Sequence, residues 1–278
     1  MRRKPVVVLI AGVLAVVVAS GAWVLQGRPD PLPSSVVNTA AGDDELADFS
    51  GRRIFFGHQS VGANIIDGLK AAYSGREGSG LDVVETRTDP GRSGGYLAHA
   101  AMGVNGDPLG KLADFEKVLA GSMGGAVGLA VLKLCYIDVT ADTDVDALFT
   151  AYSQTMTRLE AAHPGVTFIY TTVPLTTDRT WKQTVKSWIG RDEQTGPDDN
   201  AARQRYNRLV RERYGDSDRL FDIAAVQATM DSSPTSRTRD GSTYYVLHDR
   251  LAADPGHLNA LGSRVAAARL VHLVAAQH

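Results

Sequence analysis

The stretch "AVGLAVLKL", residues 126–134, is apolar at nearly every position. A strand that is covered on both faces has this composition, so the stretch predicts the central strand of a parallel sheet. Strand-like runs alternate with amphipathic helical patterns on either side of it. These runs are "RRIFFGH" (52–58), "LDVVETR" (81–87), "VTFIYTTV" (166–173) and "RLFDIA" (219–224). The alternation predicts a three-layer α/β/α sandwich with a central, mostly parallel, five-stranded sheet.

Three stretches between these elements are rich in glycine or polar residues and predict loops. The first runs from residue 89 to 108 and the second from 174 to 200, with some helix around "TWKQTVKSWIG". The third, residues 230–256, precedes a final amphipathic helix that we expect to begin at Leu258. The second and third segments are long enough to shape a substrate cleft beside the sheet.

The composition excludes several functional classes. The chain has 278 residues and a formal net charge of −2, without a long run of like charges, so no basic surface for nucleic acid is indicated. The single cysteine, Cys135, cannot form an internal disulfide. No Cys/His cluster has the spacing of a zinc site, and the sequence predicts neither a metal nor an organic cofactor.

The N-terminus predicts export. "MRRK" precedes an uncharged apolar run from Pro5 to Gln26, which is long enough to span a bilayer and also fits a secretory signal. We therefore expect a signal peptide or membrane anchor over residues 1–26, a flexible linker over 27–48 and one folded domain over 49–278. The domain would lie outside the cytoplasm, either secreted or held at the membrane by the uncleaved segment.

Side chains able to do chemistry follow the predicted strands, where sites of parallel sheets lie. Ser60 comes between the first strand and a helix, so its hydroxyl would lie near free helix N–H groups. It could be a nucleophile, although a serine at this position is more often only an N-cap. In "DPGHLNALG", residues 254–262, Asp254 could orient His257 within a Pro-Gly turn and leave the other ring nitrogen free as a general base.

Two motifs resemble those of the SGNH (GDSL-like) hydrolases. "DPGHLNALGSRVAAARL", residues 254–270, is similar to the last block of that superfamily, and "IFFGHQSVG", residues 54–62, to its first. The resemblance covers the chain from about Arg52 to its end and implies a flavodoxin-like sheet. It also implies that Ser60 is the nucleophile, His257 the base and Asp254 its partner.

The resemblance leaves the oxyanion donors open. Gly103 and Gly106 are both candidates for the second-block glycine, with Gly94 and Gly95 as rivals. The third block reads "CYID" and lacks the usual asparagine, although Asp138 fits its final position. An ionised Asp138 would repel an oxyanion, so Asn105 or a backbone N–H would have to replace the missing donor.

Four further residues near these motifs have more than one interpretation. His58 would contact substrate or tune the site, or would be a histidine bonded to backbone. Lys133 and Tyr136 would line the pocket or be structural. Cys135 is a weaker candidate nucleophile, because a buried cysteine usually acts as a small apolar residue.

The sequence thus predicts an exported serine esterase, with an ester of an envelope or extracellular glycan or lipid as its substrate and no nucleic-acid partner. Two alternatives remain: an O-acyltransferase on the same fold, and a membrane-tethered binding module with weak catalysis.

Overall fold

The computed structural model of the protein describes residues 40–76, 80–178, 194–230 and 233–277. A six-stranded sheet, with all strands parallel, runs through the domain in the order β2-β3-β1-β4-β5-β6. Its strands are β1 (Arg53–His58), β2 (Val83–Glu85), β3 (Tyr96–Ala101), β4 (Leu129–Leu132), β5 (Thr167–Thr171) and β6 (Leu220–Phe221). The helices are α1 (Asp43–Gly51), α2 (Val61–Tyr73), α3 (Pro108–Val118), α4 (Val145–Ala162), α5 (Pro197–Tyr214), α6 (Ile223–Ala228) and α7 (Ala260–Ala275).

The three-layer α/β/α prediction is confirmed, and the strand count is corrected from five to six. The added strand, β3, lies inside the stretch 89–108 that the glycines predicted as a loop. It pairs with β1 from Arg53↔Tyr96 to His58↔Ala101. Its sequence "YLAHAA" contains three alanines, which have weak strand propensity, and its burial between β1 and β2 overrides that preference.

The strand order of the sheet indicates that a ligand site would lie at the carboxyl end of β1. Without the short edge strand β2, the order β3-β1-β4-β5-β6 is the flavodoxin-like order 2-1-3-4-5. In that arrangement the chain adds β3 on one side of β1 and then crosses back to add β4 on the other side, so the strand order reverses between β1 and β4. The loops after β1, β3 and β4 therefore converge at the carboxyl edge, where such folds bind ligands.

Each face of the sheet has its own core because side chains alternate along the strands. Ile54 and Phe56 of β1 face the layer formed by α1, α2, α6 and α7. Phe55 faces the opposite layer, formed by α3, α4 and α5. All three side chains are at most 1 % exposed. Burial on both faces explains why the strands are apolar without a polar alternation.

The folded domain begins earlier than the sequence predicted. Helix α1 starts at Asp43, so residues 43–48 belong to the domain and not to the linker. Leu46 and Phe49 of this helix are buried in the core, and the Tyr73 hydroxyl donates to the Leu46 carbonyl at 2.6 Å. The predicted signal or anchor, residues 1–26, lies outside the described residues. Within the described ranges, no helix combines the length and apolarity needed to span a membrane.

The two long polar segments are only partly irregular. The helix expected around residues 180–190 lies outside the described residues. Residues 229–245 contain two small antiparallel pairs. One joins β7 (Thr229–Met230) to β8 (Ser233–Pro234), and the other joins β9 (Ser236–Arg239) to β10 (Ser242–Tyr245).

Candidate active site

Ser60 occupies a strained turn between β1 and α2. Its φ and ψ are 40° and −97°, a region that residues with a side chain rarely adopt. Its Oγ accepts from the Val61 N–H at 2.7 Å. A residue held in such a conformation costs about 1–3 kcal/mol, and strain of this kind is concentrated at functional sites.

Ordinary helix capping does not account for this geometry. The caps Asp107, Asp144 and Asp222 all have negative φ, and each accepts from the N–H three residues further on. Ser60 instead has a positive φ and accepts from the next residue. A serine on a sharp, strained strand-to-helix turn is the arrangement that exposes a nucleophilic hydroxyl in other α/β enzymes.

Asp254 and His257 form the second half of the candidate site. His257 Nδ1 lies 2.9 Å and 2.8 Å from the two Asp254 carboxylate oxygens. Asp254 Oδ1 also accepts from the Gly256 and His257 N–H groups, each at 2.9 Å. With Nδ1 committed to the carboxylate, Nε2 is the nitrogen left to accept a proton.

The hydrogen bonds of this turn keep Asp254 ionised. Partial burial alone would raise the pKa of its carboxyl group, but donation from the Gly256 N–H and from His257 lowers that pKa below its ordinary value. An ionised partner is what a general-base histidine requires, because it stabilises the imidazolium that forms during the reaction.

A side chain of α2, the helix that directly follows Ser60, is hydrogen-bonded to this turn. Asn64, one helical turn after Ser60, accepts from the Leu258 N–H through Oδ1 at 3.2 Å. Leu258 directly follows His257. Helix α7 then packs on α2 so closely that a Cβ added at Gly68 would lie 2.1 Å from the Ser263 carbonyl oxygen. These contacts hold the Asp254–His257 turn next to the start of α2. The catalytic roles of Ser60, His257 and Asp254 stay predictions.

The aromatic ring of Tyr136 lies beside His257. The Tyr136 ring meets the His257 ring edge-on, with centroids 6.1 Å apart. A Cβ at Gly256 would lie 2.4 Å from that ring, which explains the glycine in the turn. Behind Tyr136, the fully buried Arg203 donates to the Tyr136 carbonyl at 2.9 Å and lies 5.5 Å from the ring centroid.

The predicted glycine donors are already engaged. The Gly103 N–H donates to Asp114 Oδ2 at 2.8 Å, and the Gly106 N–H donates to Asp138 Oδ1 at 2.9 Å. In this structure both N–H groups are thus bonded to carboxylates, and their role as oxyanion donors stays a prediction. The rivals Gly94 and Gly95 precede β3, so they lie at the opposite edge of the sheet.

Asp138 does not present a free charge to the site. Lys111 Nζ contacts its two oxygens at 2.8 Å and 2.6 Å, and both side chains are at most 1 % exposed. The Cys135 N–H adds a further hydrogen bond at 2.6 Å. The repulsion expected from Asp138 is therefore offset by a buried lysine that the sequence analysis did not single out.

The same lysine orients Asn105. Lys111 Nζ donates to Asn105 Oδ1 at 2.8 Å, and because a lysine only donates, the contacting atom must be the amide oxygen. The Nδ2 group therefore points away from Lys111. Asn105 is exposed on the loop after β3, and its role as the replacement donor stays a prediction.

His58 lies beneath the serine turn and not in an open cleft. It is 7 % exposed, and its Nε2 lies 3.2 Å from His99 Nδ1. Burial, with smaller contributions from Lys133 and His99, lowers the pKa of His58 to about 3. A neutral, buried ring fits packing under the turn, where His58 can tune the site without facing an open cleft.

Two residues of this region were not predicted from the sequence. Lys111 and His99 contact the predicted loops, but each lies in a helix or strand whose local pattern signals no chemistry. Cys135 is 1 % exposed, which argues against a nucleophilic role. Among the described residues, no group of three or more His, Cys, Asp or Glu side chains could hold a metal ion.

No protein-family model matches the chain, and no curated protein matches it in sequence. Several solved structures are similar to it, and three of them are described below. The first, assigned as a platelet activating factor from Streptococcus pneumonia, has 13% identity and a TM-score of 0.48, covering 95% of this chain and 100% of its own. The second, a lipolytic protein of the G-D-S-L family from Desulfitobacterium hafniense DCB-2, has 8% identity and a TM-score of 0.41, covering 69% and 98%.

The third structure is the periplasmic domain of the lipopolysaccharide acetyltransferase of Salmonella ser. Paratyphi A. It has 14% identity and a TM-score of 0.43, covering 79% of this chain and 82% of its own. Because one fold supports many activities, function is a property of the site's residues.

Proposed function

We propose that the protein is an exported acyl-ester hydrolase or acyltransferase of the SGNH type, with Ser60, His257 and Asp254 as its catalytic residues. The observation that carries the proposal is the strained backbone of Ser60 at the carboxyl edge of the sheet. The turn that holds His257 against Asp254 is hydrogen-bonded to Asn64, in the first turn of the helix that follows Ser60.

In the proposed mechanism, Ser60 Oγ attacks the ester carbonyl carbon while His257 Nε2 accepts the hydroxyl proton. Asp254 stabilises the imidazolium. The tetrahedral oxyanion is held by the Ser60 N–H and by Asn105 Nδ2. His257 then gives its proton to the leaving alcohol, which departs and leaves an acyl group on Ser60. Water, activated by the same histidine, releases the acid, whereas a sugar hydroxyl in its place gives a transferred ester.

The surroundings of the site support an acylated glycan or lipid as substrate. Val104 and Leu109, on either side of Asn105, are 70% and 56% exposed, although both are large and apolar. An acyl chain could cover them on binding, which would recover hydrophobic free energy. The Tyr136 ring beside His257 suits a sugar or an acyl group. The apolar N-terminal segment directs the domain to the cell envelope.

The test is hydrolysis of short p-nitrophenyl esters by the full-length protein in mild detergent. Ser60→Ala and His257→Ala should each lower kcat/KM by at least about 10³-fold, because the triad acts as a unit. Ser153→Ala, on the exposed side of α4, is the matched control and should keep wild-type activity. Product analysis with an added sugar acceptor separates hydrolysis from transfer.

A binding module is the second candidate, and one observation favours it. The N–H groups of both Gly103 and Gly106 are bonded to carboxylates, so one expected oxyanion donor is missing. A folded wild-type protein that hydrolyses no ester yet binds an acylated glycan would support this candidate against the enzyme.

A further inference from the structure

Lys133 is a buried lysine directly beneath the serine turn. It follows the last residue of β4, and its side chain is 1 % exposed. Its Nζ donates to the Gln59 carbonyl at 2.9 Å and lies 3.4 Å from Cys135 Sγ. Among the residues that the structure describes, no carboxylate forms an ion pair with it.

Such a placement is costly for the fold. Burying an ammonium group without a carboxylate in contact removes its hydration, and its hydrogen bonds return only part of that free energy. Burial accordingly lowers the pKa of Lys133 from its ordinary value. An apolar side chain of the same length would fill this space at lower cost, so packing alone does not explain a lysine here.

The contact with Gln59 reaches the nucleophile through one peptide group. The Gln59 carbonyl and the Ser60 N–H belong to the same planar amide, so fixing one fixes the other. A hydrogen bond to the carbonyl also polarises the amide and strengthens its N–H as a donor. The Gln59 side chain holds the same residue from the other side, donating to the Met102 and Gly103 carbonyls at 2.9 Å and 2.7 Å.

We propose that Lys133 is a positioning residue that, through the Gln59 carbonyl, orients and polarises the Gln59–Ser60 peptide toward the developing oxyanion. The inference rests on the proposed function, in which the Ser60 N–H is an oxyanion donor. Lys133 itself touches neither the substrate nor the reacting atoms. The polarised Ser60 N–H thus compensates in part for the N–H groups of Gly103 and Gly106, which are bonded to carboxylates.

The experiment compares full-length wild type with Lys133→Met, which keeps the side-chain length and removes the donor. Lys133→Met should lower kcat for p-nitrophenyl acetate by about 10- to 100-fold, somewhat less than loss of a direct donor, with KM within about 3-fold of wild type. Its Tm should not fall, because a buried charge has been removed. Cys135→Ala, which removes the other Nζ contact, is the control and should keep wild-type kcat.

A spectroscopic readout follows the contact itself. Gln-Ser occurs once in the sequence, so labelling glutamine carbonyl carbon and serine nitrogen gives a single carbonyl–amide NMR signal, that of Gln59–Ser60. Lys133→Met should move this signal, and Cys135→Ala should leave it in place. Lys133→Gln, which retains a neutral donor, should have a kcat above that of Lys133→Met.

A kcat equal to that of wild type in Lys133→Met overturns the inference. The inference also fails if both Lys133→Met and Lys133→Gln are unfolded, because Lys133 would then be needed only for folding. A wild-type protein without esterase activity contradicts the proposed function itself. An active wild type matched by Lys133→Met contradicts only the role of Lys133.

Discussion

At the scale of single residues, the backbone of Ser60 bears on whether this serine is a nucleophile or only a helix cap. Sequence reasoning left the two interpretations open, because a serine before a helix fits both. The difference is a dihedral angle, and no local pattern around "GHQSVG" encodes it. The positive φ follows from the contacts of Gln59 and from the β1–α2 connection, which exist only in the folded domain.

The strain at Ser60 predicts a stability difference between two variants. Glycine adopts a positive φ without a Cβ clash, whereas alanine keeps the clash. We expect Ser60→Gly to exceed Ser60→Ala in free energy of unfolding by about 1 kcal/mol, while both lack esterase activity. Urea unfolding of the two proteins measures the difference. Equal stabilities would show that the turn is relaxed.

The same scale shows why the contacts of the candidate oxyanion donors could not be read from the sequence. Gly103 and Gly106 were candidates for the second-block glycine because they lie ahead of the following helix, and both have a positive φ. Asp114 and Asp138 take their N–H groups instead, from positions distant in sequence. The partner of Asp138, Lys111, was equally invisible, because nothing in "LGKLADF" marks its lysine as buried.

At the scale of elements, the pairing of α2 with α7 sets the relation between the two halves of the site. α2 begins directly after Ser60, at Val61, and α7 begins at Ala260, three residues after His257. The helices touch at Gly68, where the Ser263 carbonyl oxygen occupies the space of a side chain. The hydrophobic patterns predicted both helices, but this close approach depends on the tertiary packing.

Gly68→Ala should therefore disturb stability and activity together. The added methyl group cannot fit against the Ser263 carbonyl, so we expect a loss of about 1–3 kcal/mol in free energy of unfolding. The displaced α7 should also lower kcat, since His257 moves with it. Gly125→Ala, where a Cβ meets nothing within 4 Å, is the control in thermal unfolding and ester assays. Unchanged stability in Gly68→Ala would contradict this packing.

At the scale of the whole molecule, the fold was largely predictable and the site only partly. Apolar strands alternating with amphipathic helices specify a parallel α/β sandwich, since only that arrangement buries every apolar face. Strand β3 escaped because its alanines and neighbouring glycines look like a loop. The carboxyl-edge rule predicted one edge for Ser60, Asp138 and His257, whereas the contacts of the buried Lys111 and Lys133 depend on the three-dimensional packing.

The whole domain should also lose stability in acid through its buried histidine. The pKa of His58 is about 3 in the folded protein against 6.5 ordinarily, so the unfolded chain binds a proton that the folded chain rejects. Its contribution is fully present above about pH 6.5 and declines as pH falls toward 3. Partial burial lowers the pKa of His99 in the same direction.

Urea unfolding of wild type and His58→Asn from pH 8 to pH 4 measures this contribution. The wild-type free energy of unfolding should fall more steeply below pH 6.5 than that of the variant, by up to about 1.4 kcal/mol per pH unit. Parallel curves would show that His58 titrates alike in both states.

The most direct measurement of the central claim is the site and rate of fluorophosphonate labelling on the full-length protein. Trypsin releases residues 54–70, "IFFGHQSVGANIIDGLK", a peptide whose single serine is Ser60. The account predicts one phosphonyl group per chain on this peptide, with labelling slowed by at least about 10³-fold in His257→Ala. Label on another peptide, or an equal rate in His257→Ala, would contradict a Ser60–His257 catalytic pair.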